Sequence, residues 1–411
     1  MAIDHARVIE IENVIVTLKE FRRSSVVLSS DDERSISAEL GECFRDDFHL
    51  DRLAGVAPRG RRRWASGFRV YRHLGVVLGT VDRQGRARLR QHPDVDTVSS
   101  APRISLIQPA ASVAIPSTPL AGPTWGLRRL RVDQLWEQGF TGSGVLVAHL
   151  DTGIDGSHPA LRSALQLFAE FDAVGDPIRK AAPRDSSVHG TQTAGIIAGR
   201  EFNGVQFGVA PGAHLACGLV VEGGDVIRRI LAGMDWAIGA GARILNMSVG
   251  LQIYNDSLQP LMQILRNRGM LPVFAIGNEG FRTSRAPANY EEVLSVGACT
   301  AQDTVAEFSS SRRILHPAQR YVPSLVVPGV DILSASPGGG FGIDSGTSMA
   351  APHVAGLAAL LWQAFPNASP ADIEAAILAS CSRPSSIEED RGNRGIPDAL
   401  EAYEFLLRQF S

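Results

Sequence analysis

The chain has 411 residues, of which 44% are hydrophobic and 20% are charged, and its formal net charge is −3. This length exceeds what a single core holds comfortably and favours two domains. The small net charge gives no broad electrostatic case for a nucleic-acid or membrane partner. The basic run RGRRRW (59–64) has no accompanying aromatic ladder, so we interpret it as a solvated loop.

The first residues, MAIDHARVIEIENVIVTLKEF, mix charged and β-branched side chains and lack the apolar region and cleavage site of a secretory signal. No apolar stretch reaches the length that spans a bilayer. The cysteines are widely spaced without a CxxC pair, which favours buried thiols over disulfides. They are Cys43, Cys217, Cys299 and Cys381. We therefore expect a cytoplasmic protein.

Residues 1–107 predict a small α+β domain. SVVLSS predicts a strand, ERSISAELGECF a helix, FRVYRHL and GVVLGTVD two strands joined at Gly75, DRQGRARLRQHP a helix, and VDTVSSAPRISLI a last strand. This β-α-β-β-α-β order is the ferredoxin-like motif. Residues 1–22 extend beyond the pattern and receive no role from it.

Residues 108–124, QPAASVAIPSTPLAGPT, have no periodicity and predict a linker. From residue 125 to 411, apolar strands alternate with helices, which predicts an α/β domain with a parallel sheet between two helical layers. The clearest strands are VLVAHLD (145–151), RILNMSV (243–249) and LPVFAIGN (271–278). Predicted helices begin after Asp225, stop at Gly269, and run from the Ser369–Asp372 cap through Leu378.

Three motifs, LDTGID, HGTQTAGIIAG and GTSMAAPHVAG, place Asp151, His189 and Ser348 in that order along the chain. A serine hydroxyl becomes a nucleophile when a base removes its proton, and the base needs a carboxylate to fix its tautomer and stabilise its cation. Taken singly, each residue also fits a plainer role, such as a turn aspartate or a helix cap. We interpret His149 and His353 as structural histidines of the core.

Asn278 follows the strand LPVFAIGN, where its amide can donate to an oxyanion beside the backbone N–H of Ser348. A lone Asn-Glu-Gly is otherwise typical of a turn. Because Asn278 occurs together with the three motifs and in this chain order, the sequence favours a role for it as oxyanion donor.

These motifs resemble those of the subtilisin-like serine proteases (subtilases, peptidase family S8), over roughly residues 120–405. The resemblance implies an Asp151-His189-Ser348 triad, Asn278 as oxyanion-hole donor, and Ser248-Val249-Gly250 as the edge on which an extended substrate pairs. An ordinary strand end fits Ser248–Gly250 equally well. The segment GVVLGTVDRQGRARLRQHPDVDTVSSAPRISLI also resembles the propeptide domain of subtilases.

The resemblance therefore implies a serine endopeptidase made as an autoinhibited zymogen, with polypeptide substrates and its own N-terminal domain as inhibitor. A bond between Ile104 and Thr124 would be cut, near Ile107 by the propeptide match or near Leu120 by the spacing back from Trp125. One alternative is a catalytically silent binding module, although no site residue is missing. A more distant one is an esterase, whose G-x-S-x-G serine would come first in the chain.

No cofactor or metal ligand is expected, and a structural calcium ion is an open alternative for which the sequence gives no clear loop. Secreted subtilases often carry a longer loop before GVAP that wraps a calcium ion. Here REFNGVQFGVAP is short and supplies few of the six to eight oxygens that calcium takes.

Overall fold

The computed structural model describes residues 10–23, 27–45, 67–113, 121–223, 226–252, 254–315 and 319–411. The chain forms two compact units that divide between Pro102 and Arg103. The basic run at 59–64, the predicted helix start at Asp225 and the linker position Leu120 lie outside the described residues.

The N-terminal unit contains a four-stranded antiparallel sheet. Its strands are Ile11–Leu18 (β1), Phe68–Tyr71 (β2), Val76–Asp82 (β3) and Val95–Ser100 (β4), and its helices are Lys19–Arg23 (α1), Ser30–Leu40 (α2) and Arg83–Gln91 (α3). The strand order is β2-β3-β1-β4, which matches the predicted β-α-β-β-α-β motif. The turn between β2 and β3 uses Gly75 at φ +64°, a conformation that glycine adopts without steric cost.

The prediction of a first strand at SVVLSS is wrong over its described residues, 27–30: residues 27–29 are in no strand, and Ser30 begins α2. The first strand is β1, which lies in the N-terminal extension that the sequence pattern left without a role. Within SVVLSS, Ser29 caps α2: its hydroxyl accepts from the Asp32 N–H, and the Asp32 carboxylate accepts from the Ser29 N–H. This capping box satisfies two N–H groups that would otherwise lack partners, and it fixes the chain as a helix start.

The predicted last strand, VDTVSSAPRISLI, is also shorter than expected. β4 ends at Ser100, and Pro102 follows, which has no N–H to continue a ladder. Ser105 and Leu106 form a separate short strand within the second unit.

The second unit holds the remaining elements. Its strands are Ser105–Leu106 (β5), Ala111–Val113 (β6), Gly122–Pro123 (β7), Leu146–Asp151 (β8), Leu165–Glu170 (β9), Val205–Gln206 (β10), His214–Leu219 (β11), Ile244–Met247 (β12), Val249–Gln252 (β13), Leu271–Ala275 (β14), Arg285–Ala286 (β15), Leu294–Cys299 (β16), Arg312–Ile314 (β17), Arg320–Val322 (β18), Leu325–Pro328 (β19), Ile332–Ser336 (β20) and Gly340–Ser345 (β21). Its helices are Trp125–Leu130 (α4), Val132–Glu137 (α5), His189–Ala198 (α6), Ile227–Gly239 (α7), Gln259–Asn267 (α8), Thr347–Ala364 (α9), Pro370–Ala379 (α10), Glu389–Gly392 (α11) and Ala399–Phe410 (α12).

Seven of these strands form one parallel sheet in the order β19-β16-β14-β12-β8-β11-β9. The three clearest predicted strands are present as β8, β12 and β14, each with shortened ends. The predicted Ser369–Asp372 capping box at the start of α10 is confirmed.

Helices cover both faces of this sheet. Along β8 the side chains alternate, and His149 faces α6, where its Nε2 lies 3.2 Å from the Gly190 carbonyl oxygen. Leu150 faces the opposite side, where a Cβ added at Gly233 of α7 would lie 3.1 Å from Leu150 Cδ1. The predicted three-layer α/β fold is therefore confirmed.

The segment predicted as a linker, 108–124, is partly built into the second unit. β6 pairs with β21, and β7 pairs with β10.

The four cysteines are free thiols, as expected. Within the described ranges, no helix is long and apolar enough to cross a membrane.

Candidate active site

Asp151 and His189 are joined by a buried hydrogen bond. Asp151 ends the central strand β8, and His189 is the first residue of α6. The Nδ1 atom of His189 lies 2.7 Å from Asp151 Oδ1, which also accepts from the Thr152 N–H at 2.7 Å. Both side chains are almost fully excluded from solvent. The carboxylate therefore fixes the ring orientation and leaves Nε2 as the nitrogen that faces away from it.

The pKa values of this pair follow from burial and mutual charge. Burial alone would lower the pKa of His189, but the facing carboxylate of Asp151 outweighs it and holds that pKa above the usual value. Burial would raise the pKa of Asp151, yet the imidazole charge and hydrogen bond hold it below its usual value. Two further carboxylates, Asp185 and Asp344, also favour the His189 cation.

Asp185 anchors the start of α6 and was not singled out by sequence reasoning. Its Oδ1 accepts from the Thr152 hydroxyl at 2.6 Å, and its Oδ2 accepts from the Thr191 N–H at 2.7 Å and from the Thr191 hydroxyl at 2.6 Å. The Thr152 hydroxyl in turn accepts from the Gly190 N–H at 2.9 Å. This network ties the residue after Asp151 to both residues after His189.

Ser348 is the second residue of α9, where free backbone N–H groups and the helix dipole meet. It is fully buried, and its Oγ lies 3.4 Å from Met349 Sδ. Gly346 stands between Ser348 and Asn278: a Cβ there would lie 2.9 Å from Ser348 Oγ and 3.2 Å from Asn278 Nδ2. Only glycine leaves this space open to a reacting group.

Asn278 presents its amide toward the same space. Its Oδ1 accepts from both the N–H and the hydroxyl of Thr347, each at 2.9 Å. The amide is thereby turned so that Nδ2 points outward, and it donates to the Gln108 carbonyl oxygen at 2.7 Å. Thr347 therefore orients Asn278, a role that the sequence motif alone did not reveal.

A stretch of the chain itself, residues 103–113, lies along this site, and we call it the cleft segment. β5 pairs antiparallel with β13, so that Leu106 faces Val249 and Ser105 faces Gly250. The Ile107 N–H donates to the Ser248 carbonyl oxygen at 2.9 Å. Past Gln108, the Ala110 N–H donates to the Ser345 carbonyl oxygen at 2.7 Å, and β6 continues along β21.

The structure thus brings the predicted site residues together in two groups. Asp151 bonds to His189, while Ser348, Asn278 and the Ser248–Gly250 edge surround the cleft segment. Met349 belongs to one small buried apolar cluster with Ile332 and with Ile196 of α6, and this cluster joins the two groups. His189 Nε2 has no hydrogen-bond partner among the described residues, so the link to Ser348 is open in this conformation. Such links commonly tighten only when substrate binds.

The two buried histidines that the sequence assigned to the core, His149 and His353, have structural partners. His149 contacts the Thr193 hydroxyl at 2.9 Å and the Asn246 amide at 3.2 Å. His353 lies 2.9 Å from the Met349 carbonyl oxygen, and burial lowers its pKa to about 4. Both are thereby held within the core, in agreement with the sequence interpretation.

The short loop before GVAP is closed by hydrogen bonds within the loop. Phe202 and Val205 bond to each other through both backbone N–H groups at 3.0 Å. The one carboxylate in that turn, Glu201, accepts from the Gly204 N–H at 2.9 Å. The turn is closed by its own hydrogen bonds and contains one carboxylate, whereas calcium takes six to eight oxygen ligands.

The fold and this constellation are those of a serine-type endopeptidase with a parallel α/β core. A model of the subtilase family matches residues 142–400. The chain therefore belongs to the subtilase family.

Several proteases are similar to this chain. M-protease of Shouchella clausii strain KSM-K16 is 36% identical over 276 residues, which is 67% of this chain and 68% of that protein. Alkaline elastase YaB of Bacillus sp. strain YaB has the same identity and coverage. Subtilisin E of Bacillus subtilis strain 168 is 32% identical over 303 residues, 72% of this chain and 73% of the relative.

The raised pKa of His189 predicts the acid limb of the pH profile. A base must be neutral, so kcat/KM should fall as pH drops through a pKa that lies above the ordinary 6.5. Asp185→Asn removes one negative charge that favours the cation, and it should move this limb to lower pH. Glu137→Gln, at a remote surface position, should leave it in place. A limb at or below pH 6.5 in the wild type contradicts the electrostatic argument.

Removing the Asn278 donor should reduce turnover with little effect on substrate affinity. Asn278→Ala is expected to lower kcat on the order of 10²–10³, the size typical of losing one oxyanion donor. KM should change little, because the hydrogen bond strengthens in the transition state. Asn278→Asp keeps the size but presents an acceptor, and should lose at least as much. Steady-state kinetics measure kcat and KM of each variant. A raised KM at constant kcat would contradict the role of Asn278 as an oxyanion donor.

Proposed function

We propose that this chain hydrolyses peptide bonds with Ser348 as nucleophile, His189 as its base and Asp151 as the carboxylate that orients the base. The observation that carries the proposal is the position of a peptide group of the chain itself. The Gln108 carbonyl oxygen receives the Asn278 Nδ2 donor beside Ser348, at the place where a substrate carbonyl would be polarised.

The first half of the reaction forms an acyl-enzyme. His189 Nε2 takes the proton of Ser348, and Oγ attacks the substrate carbonyl carbon. The oxyanion that develops accepts from Asn278 Nδ2 and from the N–H groups at the start of α9. Asp151 stabilises the imidazolium that forms, which agrees with the raised pKa of His189.

The second half regenerates the enzyme. His189 gives its proton to the leaving amine, and the C–N bond breaks. Water then donates a proton to His189 and attacks the acyl carbon, and His189 passes that proton to Ser348 Oγ as the acid product leaves. The alternative is a catalytically silent binding module, which would carry out none of these proton transfers.

We also propose that the protein is made as a zymogen. The cleft segment holds the backbone edge of Ser248–Gly250 and the Asn278 donor that a substrate would need. It follows directly on the N-terminal unit in the sequence, so the tether keeps its effective concentration at roughly millimolar. The N-terminal unit would then act as an intramolecular inhibitor, and the free thiols support a reducing, cytoplasmic setting.

Ser348→Ala tests the nucleophile. The variant should lose covalent labelling by a fluorophosphonate probe and nearly all peptide hydrolysis, while melting like the wild type. Residual catalysis of roughly 10³-fold over water can remain from binding and the oxyanion donors. Ser295→Ala removes another buried hydroxyl in β16 and should keep full labelling. If Ser348→Ala is still labelled, the nucleophile is elsewhere.

Autoprocessing tests the zymogen. Purified wild type should be clipped between Ile104 and Thr124, whereas Ser348→Ala should stay full length. The hydrogen bonds of Ile107 and Gln108 to the cleft favour the region of Ile107 within that window. Intact mass measures both proteins. A wild type that stays uncut yet fully active would mean that the N-terminal unit is something other than an inhibitor.

A further inference from the structure

An arginine lies directly beside the strand that pairs with the cleft segment. Arg285 is in β15, which pairs with β13 on the edge opposite β5. Its side chain reaches back across β13, and one terminal nitrogen, Nη1, donates to the Gly250 carbonyl oxygen at 3.2 Å and to the Ser105 hydroxyl at 3.1 Å. Only 9% of Arg285 is exposed, so solvent offers Nη1 little alternative.

Glu279 holds this guanidinium in place. It directly follows Asn278, and its Oε1 accepts from Arg285 Nε at 2.9 Å and from the other terminal nitrogen. Its Oε2 accepts from the Ser310 hydroxyl at 3.2 Å. Burial opposes ionisation, but the hydrogen bonds and charge of Arg285 keep the pKa of Glu279 below its usual value. Both side chains are therefore ionised, and their opposite charges compensate each other. Hydrogen bonds to Arg285 and to Ser310 hold the two oxygens of Glu279 in place.

Ile104, the residue of the cleft segment just before Ser105, faces the apolar interior. It is 9% exposed and lines an apolar pocket together with residues such as Met247, Leu258 and Phe274. The next side chain, Ser105, contacts Arg285. An incoming peptide that pairs with β13 in the same register would place its own side chain there.

We propose that Arg285, anchored by Glu279, is a specificity-determining residue that selects peptides carrying a hydrogen-bond acceptor at the position of Ser105. The inference rests on the proposed function, because it takes the cleft segment as a stand-in for substrate. Serine or threonine there accepts from Nη1. Alanine leaves a nearly buried N–H without its partner, and lysine adds a like charge beside the guanidinium.

The test compares peptides that differ at this one position. Quenched fluorogenic peptides RIXLIQAAA follow residues 103–111 with alanine in place of Pro109, and X is Ser, Thr, Ala or Lys. On the active wild-type enzyme, kcat/KM for X = Ser should exceed that for X = Ala by roughly tenfold, the equivalent of one hydrogen bond. Threonine should match serine, and lysine should be the poorest substrate.

Two variants assign the preference to Arg285. Arg285→Met removes the donors but leaves Glu279 as an unpaired carboxylate, which can impair folding. The double variant Arg285→Met/Glu279→Met removes both charges together and should hydrolyse all four peptides with a Ser/Ala ratio near one. Arg312→Met, at an exposed position on β17, should keep the wild-type ratio.

The outcomes separate this inference from the proposed function. A wild-type Ser/Ala ratio near one, or a tenfold ratio that persists in the folded double variant, overturns the role of Arg285 while hydrolysis stands. If folded wild type hydrolyses none of the peptides or a protein substrate, the proposed function fails, and the inference with it.

Discussion

A fully buried carboxylate at the end of the central strand is the constraint around which the catalytic unit is arranged. Asp151 has no exposed surface, and an ionised group in such a place is costly unless it is paired and hydrogen-bonded. One oxygen meets this demand through the Thr152 N–H and His189. The imidazole of His189 must therefore keep a fixed position. The hydrogen bonds of Asp185 to Thr152 and Thr191 maintain this position because they hold the first turn of α6.

The parallel sheet explains why the other groups arrive at the same place. The carboxyl ends of parallel strands share one edge, and chain segments that leave there can converge. Asp151 ends β8, Ser248 follows β12, and Asn278 follows β14, which are neighbouring strands in space. Each residue is thus delivered by a rigid strand, and helices α6 and α9 add their first turns above the same edge.

Sequence reasoning could name the groups that we propose to carry the chemistry because short motifs fix their neighbours. Asp151, His189, Ser348 and Asn278 each stand in such a string, and the alternation of strands and helices predicted the sheet. It missed β1, since SVVLSS is as apolar as IENVIVTL and the decisive Ser29–Asp32 cap could equally have been a turn.

It also missed the residues that hold the chemistry in place. Asp185, Thr347 and Arg285 act through side-chain hydrogen bonds to partners distant in sequence or held by the fold. Neither the hydrophobic periodicity nor the amino-acid composition of the sequence indicates such contacts. The resemblance to subtilase propeptides, in contrast, implies a cut near Ile107, within the residues 103–113 that lie along the site.

The position of the cleft segment in the chain has a consequence for biosynthesis. Ribosomes add roughly 5–20 residues per second, so Ser348 emerges roughly 10–50 s after Val113. The segment is already present when the strands that carry Asp151 and Asn278 begin to pair, and α9, which closes the site, is made much later. During its own synthesis the protein therefore never has all of the proposed site residues before the cleft segment has been made.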